Sequence, residues 1–210
     1  MKLHTYYRSS ASYRVRIAMH LKGLVADKAY VHLSKNGGEQ FGPDFDALNP
    51  QHLLPVLEDD GMVLPQSLAI IEYLDETHPD VPLLPPDARG RARVRALSQA
   101  IACDIHPLNN VGPLRYLKNE MHQEQSAIDA WYHHWVRTGF EALEALVRPA
   151  PYAFGSQVTL ADVCLVPQVY NARRLKVPLD SFPKIVGIEA ACLALPAFDR
   201  ARPENQPDAE

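Results

Sequence analysis

A serine-rich segment near the start of the chain, Arg8-Ser9-Ser10-Ala11-Ser12, lies between a short apolar run and a helical pattern. The start of a helix presents backbone N–H groups without partners and the positive end of the helix dipole, so it suits an anion. A serine hydroxyl at this point could donate a hydrogen bond to a thiolate or an alkoxide. The alternative is an ordinary N-cap, which serine also favours and which is the more frequent use of such a residue.

Two further segments carry groups that could bind a peptide. Pro55 opens a strand pattern after an apolar residue, which is compatible with a cis peptide bond, although trans is more frequent. A cis bond would leave the backbone N–H and C=O of Leu54 free to pair with an extended ligand as an added strand. Ser67 opens a helical pattern and could bind a carboxylate, and Gln66 before it could bind an amino or amide group, with an ordinary cap again as the alternative.

These segments are weak signals one by one and stronger together. They predict an anion-binding helix start, an exposed strand edge and a carboxylate-binding helix start within one small domain. This set matches the functional groups of a short acidic peptide.

Hydrophobic periodicity predicts the elements that position these groups. Residues 2–76 carry strand and helix patterns in the order β-α-β-loop-β-β-α, typical of a small mixed sheet with helices packed on it. Asp59-Asp60-Gly61 predicts the turn of a hairpin. Residues 79–86 contain four prolines and read as a stiff linker. Helical patterns then cover 88–117, 123–147, 159–175 and 181–194, and an irregular tail is expected at 201–207. We therefore predict an α/β domain over 1–80 and an all-helical domain over 88–210.

Composition narrows the function. The 210 residues have a net charge of -4, which argues against a nucleic-acid or anionic-membrane binder. No apolar run is long enough for a transmembrane helix, and the first residues do not resemble a secretory signal. Three widely spaced cysteines, Cys103, Cys164 and Cys192, form neither a disulfide framework nor a metal motif. We expect a cytoplasmic protein without a metal site.

The motifs resemble those of a known family over nearly the whole chain. Residues 3–80 resemble the thioredoxin-like N-terminal domain of glutathione transferases, and Arg8 to Ala18 is similar to the zeta-class signature Ser-Ser-Cys-Ser-x-Arg-Val-Arg-Ile-Ala. The similarity continues in the helical half at His106-Pro107-Leu108-Asn109-Asn110, Thr159-Leu160-Ala161-Asp162, Asn171-Ala172-Arg173-Arg174 and Gln206-Pro207-Asp208. Thr159 and Asp162 also form a capping-box pattern, whose role is structural.

The resemblance implies a glutathione-dependent cis-trans isomerase of maleylacetoacetate, with maleylpyruvate, or conjugation of small electrophiles such as haloacids, as alternatives. A thiolate suits this reaction because it adds well to an activated alkene and leaves well. Ser9 would donate to the glutathione thiolate, with Ser10 beside it, and Arg8 and Arg174 would hold the substrate carboxylates. The resemblance also implies a homodimer and glutathione contacts from Gln40, Leu54, Gln66, Ser67, His106 and Asn110, with Pro55 cis.

The sequence departs from the zeta-class signature at one position, where Ala11 replaces the cysteine. This argues against a protein-thiol mechanism, and it removes a second thiol from the expected site. The apolar Val111-Gly112-Pro113 segment, where some maleylpyruvate isomerases are more basic, favours maleylacetoacetate as the substrate.

Overall fold

The computed structural model describes residues 1–210. Its first strand lies at the centre of a four-stranded mixed sheet. The strands are β1 (Lys2–Thr5), β2 (Asp27–Tyr30), β3 (Val56–Asp59) and β4 (Met62–Pro65), in the order β2-β1-β3-β4. β1 runs parallel to β2 and antiparallel to β3. β3 and β4 form the predicted hairpin, and its turn residues Asp60 and Gly61 both have positive φ, as a tight hairpin turn requires.

Helices α1 (Ser10–Leu21), α2 (Pro43–Leu48) and α3 (Ser67–Thr77) complete this part of the chain. The core consists of apolar side chains of β1, β3, α1 and α3, with no more than 1% of their surface exposed: Leu3, Val15, Ile17, Ala18, Val56, Leu57, Ile70, Ile71 and Leu74. Helix α2 was not predicted. It begins with Pro43, whose fixed φ suits the first helical turn.

The helical half contains α4 (Ala88–Gln99), a π-helical segment (Ala100–Ile105), α5 (His106–Asn109), α6 (Val111–Asn119), α7 (Gln125–Leu146), α8 (Leu160–Arg174) and α9 (Pro183–Leu193). The single helix predicted over 88–117 is therefore wrong in detail, because the chain widens into the π-helical segment and turns extended at Asn110. A two-residue strand pair, Arg148–Pro149 with Phe154–Gly155, interrupts the region expected to be helical only.

Helix α8 starts at the predicted capping box. The Asp162 carboxylate accepts hydrogen bonds from the backbone N–H of Thr159 at 2.8 Å and of Ala153 at 2.7 Å. Burial raises the pKa of Asp162, and these hydrogen bonds oppose that change. The box therefore joins the start of α8 to the short strand pair before it.

The last residues belong with the first domain. Compact unit 1 comprises Met1–Leu83 and Leu193–Glu210, and unit 2 comprises Leu84–Cys192. This differs from the predicted domain of 88–210 because α10 (Pro196–Ala201) packs on α1. The tail after it is not irregular throughout, since Pro203–Asn205 form a 3-10 turn and the Gln206 amide donates to the carbonyls of Arg200 and Arg202.

Two further properties concern the whole chain. None of its helices has the length and apolar character needed to cross a membrane. No cluster of three or more histidine, cysteine or acidic side chains is arranged to hold a metal ion.

Candidate active site

Ser9 is the N-cap of α1. Its Oγ accepts a hydrogen bond from the backbone N–H of Ser12 at 3.2 Å, so the cap alternative is confirmed. That bond uses a lone pair of the hydroxyl and not its proton. Ser9 can therefore cap the helix and donate its O–H to an anion at the same time, and Ser10 follows it as a buried first residue of the helix.

Arg8 precedes the cap and lies against two aromatic rings. Its Nε and Nη2 donate to the Tyr6 hydroxyl at 3.3 and 3.0 Å, and its guanidinium carbon lies 5.1 Å from the centre of the Tyr7 ring. The hydrogen bond with Tyr6 raises the pKa of Arg8 above its usual high value, so this exposed group stays positively charged. A fixed cation thus stands directly beside Ser9 in the chain.

The Leu54–Pro55 peptide bond is cis, as predicted. β3 is an inner strand of the sheet, so the expectation of an exposed strand edge is wrong. Leu54 nevertheless lies just before the first paired residue, Val56, and its backbone N–H and C=O take no part in the ladder or in a turn. The preceding turn is held by the buried Asn49, whose Nδ2 donates to the Leu53 carbonyl at 2.8 Å.

Gln66 and Ser67 stand at the start of α3. Gln66 has a φ of 72°, a costly conformation for a residue other than glycine and one that occurs preferentially where ligands are held. Its Nε2 donates to the Oε1 of Gln51 at 2.9 Å. The helix has no side-chain cap, so the ordinary-cap alternative is wrong for Ser67. The first N–H groups of α3 are thus open to an anion.

A buried arginine lies next to Ser67. Nη1 of Arg14 donates to Ser67 Oγ at 3.2 Å, and Arg14 is only 2% exposed. Its positive charge adds to that of the helix start. Sequence reasoning does not single out Arg14, although an arginine within the apolar stretch of α1 is unusual enough to mark it.

Gln40 is also buried, with 2% of its surface exposed, and its Oε1 has no hydrogen-bond partner. A buried acceptor without a donor costs free energy, so such a group calls for an explanation. Gly38 has a φ of 112°, and a Cβ added there would lie 2.8 Å from Gln40 Nε2. The glycine therefore leaves space for the Gln40 amide.

The remaining predicted residues lie in unit 2. His106 begins α5 directly after the π-helical segment. Asn110 caps α6, with its Oδ1 accepting from the backbone N–H of Val111 at 2.8 Å. Arg174 is exposed at the last position of α8. In the same unit, burial raises the pKa of Tyr132 to about 12, which the charge of Arg174 opposes. Unit 1 contains the other predicted site residues: Arg8, Ser9, Ser10, Gln40, Leu54, Gln66 and Ser67.

Comparison with known proteins shows the family of the chain. Residues 8–77 match the family model of the glutathione S-transferase N-terminal domain, and residues 129–201 match that of the C-terminal domain. A probable maleylacetoacetate isomerase of Vibrio cholerae is 49% identical over 209 residues, covering 99% of this chain and 97% of that protein. The chain belongs to the glutathione S-transferase family.

Two solved structures are similar to this glutathione S-transferase over its whole length. One is the holo structure of a maleyl pyruvate isomerase, a bacterial glutathione S-transferase of the zeta class, with 48% identity, a TM-score of 0.95 and full coverage of both chains. The other is a maleylacetoacetate isomerase of Methylobacterium extorquens with bound malonate and glutathione, with 36% identity, a TM-score of 0.94 and full coverage of both chains. The predicted resemblance to the zeta class and the predicted fold class are confirmed.

Proposed function

We propose that this protein is a glutathione-dependent cis-trans isomerase that converts maleylacetoacetate to fumarylacetoacetate. The observation that carries the proposal is the serine at the start of α1, which caps the helix through a lone pair and keeps its proton for an anion. Relatives named for this reaction, and a relative whose structure contains glutathione, support it.

The residues of unit 1 fit glutathione. The tripeptide carries two carboxylates, an amino group, two peptide units and a thiol. The open start of α3 beside Arg14 suits its γ-glutamyl carboxylate, and the unpaired backbone of Leu54 suits its cysteinyl peptide unit. The partnerless Oε1 of Gln40 suits an N–H donor. Gln66 and Ser67 would hold the γ-glutamyl end, and His106 and Asn110 would contribute further contacts.

Glutathione, when bound, supplies a thiolate that adds reversibly to the cis double bond and so permits rotation about it. The protein must lower the pKa of that thiol, which for a free cysteine is about 8.5. The Ser9 hydroxyl donates to the sulfur, and the positive end of α1, with Ser10 in its first turn, favours the charged form. Arg8 and Arg174 bind the substrate carboxylates, for which a planar guanidinium is well suited.

The test is an isomerisation assay on the purified protein. Maleylacetoacetate is supplied with and without glutathione, and product is followed by the change in absorbance of the conjugated chain. We expect turnover that depends on glutathione and leaves its amount unchanged. Absence of turnover in the presence of glutathione would contradict the proposal.

A second candidate is the isomerisation of maleylpyruvate to fumarylpyruvate. The full-length similarity to a maleyl pyruvate isomerase favours it, at an identity close to that of the maleylacetoacetate relative. Comparing kcat/KM for the two acids on one preparation decides between them. Release of chloride from a haloacid at a rate above both would instead identify a conjugating transferase.

The proposal includes a cytoplasmic homodimer. Three free cysteines suit a reducing compartment, and the dimer is expected from the family resemblance and the apolar content of the helical half. Sedimentation at micromolar protein concentration tests the dimer, and a monomer there would refute it.

A further inference from the structure

The segment Tyr6–Ser9, which carries both the substrate-binding arginine and the serine, is held from its carbonyl side by Arg16. This guanidinium is 2% exposed and donates to the carbonyl of Tyr6 at 3.2 Å and to that of Tyr7 at 2.9 Å. The backbone N–H of Ser9 donates to the Tyr6 carbonyl at 3.1 Å, which closes the turn into α1. The carbonyl groups of the segment are therefore anchored to the helix that follows.

The N–H side of the same segment is held by the far end of the chain. The backbone N–H of Tyr7 donates to Oδ2 of Asp208 at 2.9 Å, across 201 positions of sequence. A carboxylate that accepts from a backbone N–H makes a stronger bond than a neutral acceptor. The partner Tyr7 is the residue directly before Arg8.

Other tail residues fix the position of Asp208. Gln206 is buried, and its side-chain amide donates to the carbonyls of Arg200 in α10 and of Arg202 just after it. The Gln206 carbonyl accepts from the N–H of Ala209 at 3.0 Å. Glu210 pairs with Lys35 and lies 3.6 Å from Nε2 of His32. The tail is thus docked on both sides of Asp208.

His32 extends this contact to Arg8. Its Nδ1 accepts from the backbone N–H of Lys35 at 2.9 Å, which assigns the proton to Nε2. Nε2 lies 3.4 Å from the Tyr6 hydroxyl, which is the group that receives the Arg8 guanidinium. The side chain of Arg8 is therefore linked to the tail through Tyr6 and His32, and the residue before it, Tyr7, is bonded to the tail through its backbone N–H.

One oxygen of Asp208 is unfavourably placed. Oδ1 is buried and has no hydrogen-bond partner, which costs free energy in a carboxylate. Buried polar atoms without a hydrogen-bond partner break the usual rule for folded proteins, and such exceptions occur preferentially at functional sites.

We infer that Asp208 is a positioning residue, which fixes the Tyr7 amide and thereby sets the placement of Arg8 and Ser9. The inference rests on the proposed function for its catalytic consequence. Its structural consequence, an ordered Tyr6–Ser9 segment that depends on Asp208, stands apart from the reaction. Displacing the segment by about 1 Å would lower kcat/KM about ten- to a hundredfold.

The test compares Asp208→Ala, which removes the acceptor, with Asp208→Asn, which keeps an oxygen in the same place. Glu204→Ala is the matched control, because Glu204 is an exposed acidic residue of the same tail without a hydrogen bond or ion pair. Three quantities are measured for each variant: amide exchange at positions 7 to 9 of the free protein, the thiol pKa of bound glutathione, and KM for the maleyl acid. Thermal unfolding is recorded in parallel.

We expect Asp208→Ala to speed amide exchange at these positions, to raise the thiol pKa and to raise KM about tenfold. Asp208→Asn should recover most of each change, and Glu204→Ala should behave as the wild type. A lower melting temperature with unchanged exchange, thiol pKa and KM would overturn the inference, since Asp208 would then only anchor the tail. Equal losses in the alanine and asparagine variants would overturn it too.

Failure of the proposed function is distinguishable from these results. A wild-type protein that binds glutathione without isomerising either acid refutes the function. Amide exchange and the thiol pKa still test the role of Asp208 in that case.

Discussion

The Ser9 hydroxyl accepts from the Ser12 N–H and is proposed to donate to the glutathione sulfur, and variants at this position can separate the two roles. A hydrogen bond to a charged group contributes about 1.5–3 kcal/mol, and one pKa unit corresponds to about 1.4 kcal/mol. Ser9→Ala should therefore raise the pKa of the bound glutathione thiol by about one to two units. It also removes the acceptor for the Ser12 N–H at 3.2 Å, which should lower the free energy of unfolding by about 1 kcal/mol.

Ser9→Gly is the matched control for the cap. Glycine at an N-cap costs only a few tenths of a kcal/mol, yet it lacks the hydroxyl just as alanine does. The two variants should therefore differ in stability and agree in the thiol pKa. The stability is measured by urea unfolding, and the thiol pKa by the ultraviolet absorbance of the bound thiolate against pH.

The isomerisation rate should depend on the fraction of bound glutathione that is present as the thiolate. Because the pKa is raised, the acidic limb of the pH–rate profile should move to higher pH in both variants by the same one to two units. At pH values above the raised pKa the loss should become small. An unmoved acidic limb in both variants would refute the role of Ser9, and a shift in the alanine variant alone would assign the effect to the cap.

Three further predictions address the rest of the molecule. A Cβ at Gly139 would lie 2.2 Å from Cγ1 of Ile105 in the π-helical segment, so Gly139→Ala should lower the free energy of unfolding by about 1–3 kcal/mol. Gly187 in α9 has open space around it, so Gly187→Ala should raise the free energy of unfolding by about 0.5–1 kcal/mol. Arg174→Lys should raise KM for the maleyl acid about tenfold with little change in glutathione affinity, because lysine cannot bind a carboxylate with two parallel bonds; steady-state kinetics and calorimetry measure the two effects. The hydrogen bond from His4 lowers the pKa of Glu58 in the folded protein. The Glu58 carboxylate therefore stabilises the fold at a pH above the ordinary glutamate pKa of about 4.3, and this stabilisation is lost as the pH falls through the lowered pKa of the folded state. The difference in urea midpoint between the wild type and Glu58→Gln should then shrink as the pH falls, and a constant difference would contradict this reasoning.

Local signals predicted much of the fold and of the site. The hairpin at Asp60-Gly61, the capping box of α8 and the serine at the start of α1 each depend on atoms a few residues apart. Their geometry is decided by backbone dihedrals and by hydrogen bonds within one turn. Such features can be read from residue types and spacing because no distant segment takes part in them.

Other site features were mistaken or missed because they involve distant segments. The sequence predicts an exposed strand edge at Leu54, but the pairing of β1 with β3 makes the strand that follows an inner one, and only the backbone of Leu54 before it is unpaired. Ser67 opens a helical pattern, which predicts carboxylate binding or an ordinary cap, and the structure instead makes its hydroxyl the acceptor of Arg14, 53 residues earlier. In each case the partner is chosen by packing of the whole unit.

The sequence by itself determined the residue types of the site, the helices and strands that carry them, and the family to which they belong. The tertiary structure alone decided which groups support them: the buried Arg14 next to Ser67, the partnerless oxygen of Gln40, and the Asp208 carboxylate on the Tyr7 amide. The physical reason is that dihedral preferences and caps act over a few residues. A contact across 201 positions exists only once the core has formed and the tail lies beside the segment that follows β1.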